Sequence, residues 1–171
     1  MLYKTNYKLP LGDILIASDG ENIVGLWFFG QKYFSDTVPE EMVEKDDLKA
    51  FKDCKKWLDD YFAGRRPKPF EVPLSPRGGE FRQTVWKLLR EIPFGETTTY
   101  AILAKKTAEK LGKDRMSAQA VGGAVAHNPI SIIIPCHRVV GSNGDLTGYA
   151  GGLDKKRALL KLEQETASMS K

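Results

Sequence analysis

The sequence predicts an α+β protein in two parts: an N-terminal antiparallel sheet with a helix, then a mostly helical C-terminal half containing a helix-turn-helix. Three observations carry this. The first thirty residues alternate apolar and polar as strands do, with turn residues between them. Residues 64–79 are rich in proline and glycine and read as an extended connection. Beyond them, apolar residues recur at helical spacing between recognisable caps and stops.

In chain order, strands are expected over 2–7, 13–18 and 23–29, with Pro10-Leu11-Gly12 and Asp19-Gly20-Glu21 as turns. Residues 46–62 read as an amphipathic helix, since Leu48, Phe51, Trp57, Leu58 and Phe62 share a face, and Gly64 is its stop. Cys54 falls inside that pattern as a packing residue. Phe70, Val72 and Leu74 alternate and suit an edge strand. The boundary is placed between 1–77 and 78–171.

The second half opens with a helix over 80–92, with Phe81, Val85, Leu88 and Leu89 on one face, ended by Pro93-Phe94-Gly95. Thr99 caps a helix over 100–111 that turns Ile102, Leu103 and Thr107 inward. Gly112-Lys113-Asp114 is a turn, and Ser117 caps a helix over 118–127, completing the helix-turn-helix pattern. Gly122-Gly123 costs that last helix about 1 kcal/mol per glycine relative to alanine, which suggests that something must approach its backbone closely. A final helix over 154–165 is capped by Asp154, with Ala158, Leu159 and Leu162 apolar and Glu163 on the same side.

Composition narrows the class. Of 171 residues, 42% are apolar, enough for a core. No run approaches the ~18 apolar residues of a membrane span, and the first residues lack the apolar stretch of a signal peptide. Two cysteines, Cys54 and Cys136, make no disulfide framework, so a reducing, cytoplasmic setting is expected. Residues 1–77 carry 12 Lys and Arg against 13 Asp and Glu, a net −1; residues 78–171 carry 14 against 9, a net +5. The basic surplus lies in the half where an anionic partner would bind.

The chemistry centres on Ile132-Ile133-Ile134-Pro135-Cys136-His137-Arg138-Val139-Val140. Three β-branched residues ended by proline read as a buried strand brought to a stop. The thiol that follows has an imidazole and a guanidinium as sequence neighbours, and a thiol needs a base or a positive field to become a nucleophile. On these residues alone the pair reads equally as a buried structural thiol beside a chance histidine. The flanks change that reading. Gln119-Ala120-Val121-Gly122-Gly123-Ala124 and Asn128-Pro129 precede Pro135-Cys136-His137-Arg138-Val139-Val140, and Gly148-Tyr149-Ala150-Gly151-Gly152-Leu153 follows. Together these motifs strongly resemble the O6-alkylguanine-DNA alkyltransferases, densely over 81–163 and more loosely before.

The resemblance implies a ribonuclease-H-like layout for the first part and a winged-helix-like domain for the second. It implies a DNA-repair activity: the alkyl group of O6-alkylguanine passes irreversibly to Cys136 after the damaged nucleotide is flipped out, with O4-alkylthymine left open as a second substrate. His137 takes the thiol proton through a water, Glu163 fixes its tautomer, and Asn128 braces the site. Tyr100 contacts the flipped base, the Val139 and Cys136 carbonyls accept from its amino group, the Ala150 amide approaches O6 and Tyr149 lines the pocket. The glycine-bearing helix enters the minor groove through Ala120, Gly123, Ala124 and His127. The partner is double-stranded DNA carrying alkylated bases. No membrane partner, no cofactor and a monomeric state are expected.

Two departures stand out. The family commonly has arginine where this chain has Gln119, the residue that fills the space left by the flipped base; Arg115, four residues earlier, is the available cation for a phosphate. Some relatives bind zinc in the N-terminal domain, but here that half has no histidine and only Cys54, so no such metal site is expected. Read without the resemblance, Glu163 would be a solvated charge on a terminal helix. The competing functions are a non-catalytic helix-turn-helix regulator, against which the intact Cys136 argues, and a thiol hydrolase, against which the missing nucleophile elbow argues.

Overall fold

The computed structural model describes residues 1–169. They divide into two compact units, one of Met1–Arg77 with Pro129–Ser131, the other of Gly78–Asn128 with the chain from Ile132 onward.

The first unit is a four-stranded sheet with one helix. Strands β1 (Tyr3–Leu9), β2 (Gly12–Ser18) and β3 (Ile23–Phe28) form an antiparallel meander, and a short β4 (Val43–Glu44) adds in parallel to β1, giving the order β3-β2-β1-β4. The β2–β3 turn is set by Asp19, whose carboxylate accepts from the backbone N–H of Glu21 and of Asn22, while Gly20 takes φ +107°. β3 is buried along its whole length. Its free edge is covered by two short pieces of distant chain: Leu74 bridges Ile23, and Ile130 bridges Leu26. The 70–74 segment thus supplies one bridge rather than an edge strand, with Val72 buried and Phe70 exposed. Helix α1 (Lys49–Phe62) packs on β2 and β3 through Phe51, Cys54, Leu58 and Tyr61. It starts three residues later than its periodicity suggests, no side chain caps it, and Asp46 instead accepts from the Thr5 hydroxyl at 2.7 Å. A separate apolar cluster of Leu2, Leu15, Ala17, Val24, Trp27 and Val38 is closed by Phe34 and Met42.

The second unit is helical. Helices α2 (Glu80–Arg90), α3 (Tyr100–Leu111) and α4 (Ala118–Ala126) pack on one another. The Thr99 hydroxyl accepts from the Ile102 N–H at 3.2 Å, and Gly112 ends α3 in the left-handed region at φ +67°. The Ser117 hydroxyl accepts from the Ala120 N–H at 2.9 Å and starts α4. The indole of the buried Trp86 donates to the Ala124 carbonyl at 2.9 Å, satisfying a helix-end acceptor. The inward stripe of α3 is Leu103, Ala104, Thr107 and Ala108, which leaves Ile102 about half exposed rather than inward. Strands β5 (Thr98–Thr99) and β6 (Val139–Val140) pair in parallel, and α5 (Leu153–Met169) packs on the turn Cys136–Arg138. α5 starts one residue before Asp154, which is exposed in its first turn. The Gly152 carbonyl accepts from Lys155 and Lys156 there.

The predicted strand over the three isoleucines is not one. Residues 131–134 form a buried turn, with Ile132 at φ +71°. A β-branched residue in that region is strained by about 1–3 kcal/mol, and nothing in a strand would demand it.

Candidate active site

Pro135, at φ −81° and ψ 64°, closes an inverse γ-turn in which the Cys136 N–H donates to the Ile134 carbonyl at 2.8 Å. The same carbonyl accepts from Asn128 Nδ2 at 2.9 Å. Asn128 therefore ties the end of α4 to the turn that presents the thiol. Cys136–Arg138 then form one turn of 3₁₀ helix, and Val139 enters β6 beside Thr98. The Val139 N–H already donates to the Cys136 carbonyl, so that carbonyl has one lone pair left for a ligand.

His137 is fully buried, and its Nε2 lies 2.5 Å from Glu163 Oε2. Glu163 also accepts from Arg138 Nε at 2.7 Å, Arg138 Nη2 at 3.1 Å and the Gly95 N–H at 3.1 Å. Burial works to raise the Glu163 pKa, but the hydrogen bonds and charges of His137 and Arg138 outweigh it and hold the carboxyl at about 2. Burial pushes the His137 pKa down; the bond to Glu163 opposes this, and the charges of Arg138 and Lys156 reinforce it. The pair is thus a carboxylate and a neutral imidazole. With Glu163 on Nε2, that nitrogen carries the proton and Nδ1 keeps its lone pair. Nδ1 is buried and has no hydrogen-bond partner in the protein.

Burial likewise raises the Cys136 pKa, while a hydrogen bond from Asn128 and the charge of Lys156 pull it back. Cys136 rests as a thiol with a base, a donor and a cation around it. Lys156 is a site residue that the motifs do not single out. It is fully buried, donates to the Thr147 and Gly148 carbonyls at 2.9 and 3.1 Å, and lies 5.9 Å from the centre of the Tyr100 ring. Burial brings its pKa down to about 8, with Cys136 opposing. The signal for it was present: Lys156, Leu159, Leu160 and Glu163 recur at i, i+3, i+4 and i+7, so an inward Glu163 implies an inward Lys156. Tyr100 begins α3, and its hydroxyl donates to the Thr147 carbonyl at 3.2 Å. Tyr149 and Ala150 are partly buried in the loop entering α5.

Ser117, Ala118, Gln119, Ala120 and Gly123 form the exposed surface of α4, and His127 caps its C-terminal end half-buried. Ala124 is buried, with its carbonyl held by Trp86, so it faces the core and not that surface. A Cβ on Gly123 would meet nothing within 4 Å, and one on Gly122 would touch the Tyr100 ring only at an ordinary 3.8 Å. Neither glycine is required by the folded chain itself. Arg115 is exposed beside a groove of about 410 Å³ that Lys105 and Lys113 also line. Among the described residues no cluster of His, Cys, Asp or Glu could hold a metal ion, and no helix is long and apolar enough to cross a membrane.

A buried thiol, a neutral imidazole and an anchored carboxylate, in a unit whose α3 and α4 follow the helix-turn-helix pattern, are chemically equipped to accept a group on sulfur. Comparison with known proteins identifies the class. Residues 80–165 match the DNA-binding domain of 6-O-methylguanine DNA methyltransferase, and residues 2–76 match its ribonuclease-like domain. The methylated-DNA–protein-cysteine methyltransferase of Methanosarcina acetivorans is 46% identical over 95% of this chain and 98% of its own length. That of Haemophilus influenzae is 43% identical over 95% and 87%. The crystal structure of Mycobacterium tuberculosis OGT in complex with DNA superposes with a TM-score of 0.82 at 39% identity, covering 96% of this chain and 94% of that one. The chain belongs to the methylated-DNA–protein-cysteine methyltransferase family, and its activity is the transfer of alkyl groups from DNA to protein in repair.

Proposed function

We propose that Cys136 is the acceptor and His137 the base, and that each molecule reacts once. The observation that carries this is the buried imidazole: its Nε2 is anchored to Glu163 while its Nδ1 has no partner in the protein. The thiol proton passes to Nδ1 through a water. The thiolate attacks the alkyl carbon in line with the C–O6 bond. An S–C bond forms, the C–O6 bond breaks with its electrons, and the thiol's proton ends on the restored guanine. The Tyr100 hydroxyl, which has one hydrogen to give, turns from the Thr147 carbonyl to donate toward the departing base, and the Val139 and Cys136 carbonyls accept from its amino group. The Ala150 amide approaches O6 and Tyr149 lines the pocket. O4-alkylthymine offers the same ether chemistry. Lys156 stabilises the forming thiolate and ties down the 147–148 loop. A thioether has no good leaving group, so the acceptor is consumed.

The substrate base must leave the duplex, because a thiol 6% exposed cannot reach into a base stack. The small-residue strip of α4 supports minor-groove entry at Ala120 and Gly123, with His127 at its end and Gln119 in the vacated stack. Arg115, with Lys105 and Lys113, suits the phosphate backbone. On this reading residues 78–171 bind DNA and carry the reaction, residues 1–77 form the other domain, and the protein works as a monomer in the cytoplasm, where Cys136 stays reduced.

Mass spectrometry after incubation with an O6-methylguanine oligonucleotide tests this. One methyl per molecule, on the peptide bearing Cys136 and with no further turnover, is the expected outcome. Methylation elsewhere, or continued turnover, contradicts it, and no methylation at all would leave a DNA-binding module.

A further inference from the structure

Arg138 is a buried cation. Its guanidinium grips both oxygens of Glu163, donates through Nη1 to the Ile92 carbonyl at 2.6 Å and lies 5.7 Å from the centre of the Phe94 ring. The bidentate fork means that Glu163 is already matched by one full positive charge before His137 is counted. Without that match, His137 would be the nearest available counter-charge for a buried carboxylate. A carboxylate in that position favours imidazolium, and an imidazolium cannot take a proton from the thiol. The other groups facing His137 are Lys156 from α5 and Cys136 on its own turn; Lys156 acts in the same sense as Arg138.

We propose that Arg138 is a positioning residue that cancels the charge of Glu163, so that the carboxylate orients His137 without protonating it. This rests on His137 being the base. It adds a division of labour: Glu163 supplies direction, Arg138 removes the electrostatic side effect of that direction, and Nδ1 stays a free acceptor at neutral pH.

The test measures His137 itself, by NMR titration of its ring, together with single-turnover methyl transfer from pH 5 to 9. In Arg138→Gln the His137 midpoint should rise by about one pH unit or more. Transfer at neutral pH should fall about tenfold or more and recover as pH rises through the new midpoint. Arg138→Lys keeps the charge without the fork and should keep the wild-type midpoint. The double variant R138Q/E163Q removes both charges and should return the midpoint to the wild-type side, with a low rate that no longer changes with pH. It also serves if Arg138→Gln alone leaves Glu163 too poorly matched to fold. An unchanged His137 midpoint in Arg138→Gln overturns the proposal, as does a rate lowered equally at every pH. The titration needs no transfer, so failure of this proposal is distinct from failure to find the methyl group on Cys136.

Discussion

The two units obey different rules, and the two cysteines make the difference measurable. In the first unit, Cys54 sits in α1 among Phe51, Trp57, Leu58 and Tyr61, and burial pushes its pKa up to about 12. In the second, Cys136 is buried as well, but among Asn128, Lys156 and the His137–Glu163 pair. Among the described residues, all four buried charged or histidine side chains, His137, Arg138, Lys156 and Glu163, lie in the second unit. The first unit has its own positive-φ residues in Tyr33, Ser35 and Arg66, but the β-branched Ile132 and the glycine pair of α4 belong to the second. Burial alone makes a thiol inert, so a reactive one needs polar neighbours that cost stability. The rule-breaking residues therefore mark the site more sharply than any single motif.

The largest expected effect breaks the comparison at the thiols. Cys136→Ser should bind DNA about as well as wild type and transfer nothing, since a hydroxyl is a far weaker nucleophile in the same place. Cys54→Ala should keep one methyl accepted per molecule and lose only packing. Detectable transfer by Cys136→Ser in a mass-spectrometric assay, or loss of stoichiometry in Cys54→Ala, would merge the two environments that the structure separates.

A second change makes the second unit resemble the first. Lys156→Met removes a buried charge at nearly constant volume. It should slow transfer about tenfold to a hundredfold, because the cation beside the thiolate is gone. Its melting temperature sets two effects against each other: a buried charge no longer has to be desolvated, and the Thr147 and Gly148 carbonyls lose their donor. The pH dependence fixes the sign. The folded pKa of Lys156, about 8, lies below its ordinary 10.5, so the unfolded chain holds that proton more tightly. Wild type therefore gains stability relative to Lys156→Met as pH rises from about 8 toward 10.5. Thermal melts of both proteins across that range check this; a Lys156→Met that gains on wild type as pH rises would contradict the assignment.

These contrasts also show what the chain makes legible. The caps Thr99 and Ser117 and the stops Gly64 and Gly112 locate α3, α4 and the end of α1 because each acts through local hydrogen bonds or a local φ. The turn at Ile132–Ile134 has the opposite cause. β-branched residues before a proline look like a strand, but Asn128 competes for the Ile134 carbonyl from six residues away. Arg138 and Lys156 remained hidden as buried charges because charge ordinarily signals exposure. Their partners, Glu163 and the Thr147 and Gly148 carbonyls, come from separate stretches of chain.

The smallest expected effect concerns α4, whose exposed surface contrasts with the fully packed inner face of α1. Gln119 is exposed on the first turn of α4, next to Ala120 and one helical turn from Gly123. If it fills the gap left by the flipped nucleotide, its work is confined to duplex DNA, where a stack must be opened. Gln119→Ala should then slow single-turnover repair of duplex by about three- to tenfold, which corresponds to about 1 kcal/mol out of an unstacking cost of a few. Repair of a single-stranded oligonucleotide with the same lesion should be unchanged. Gln119→Arg should move duplex repair the other way by a similar factor, because a planar guanidinium stacks on the neighbouring bases and carries a charge that glutamine lacks. Neither substitution disturbs the fold, since this side chain points away from the core and α4 is started by Ser117. If Gln119→Ala repairs duplex as fast as wild type, the stack is held open from elsewhere. Arg115, in the exposed turn that precedes α4, is then the residue to replace next.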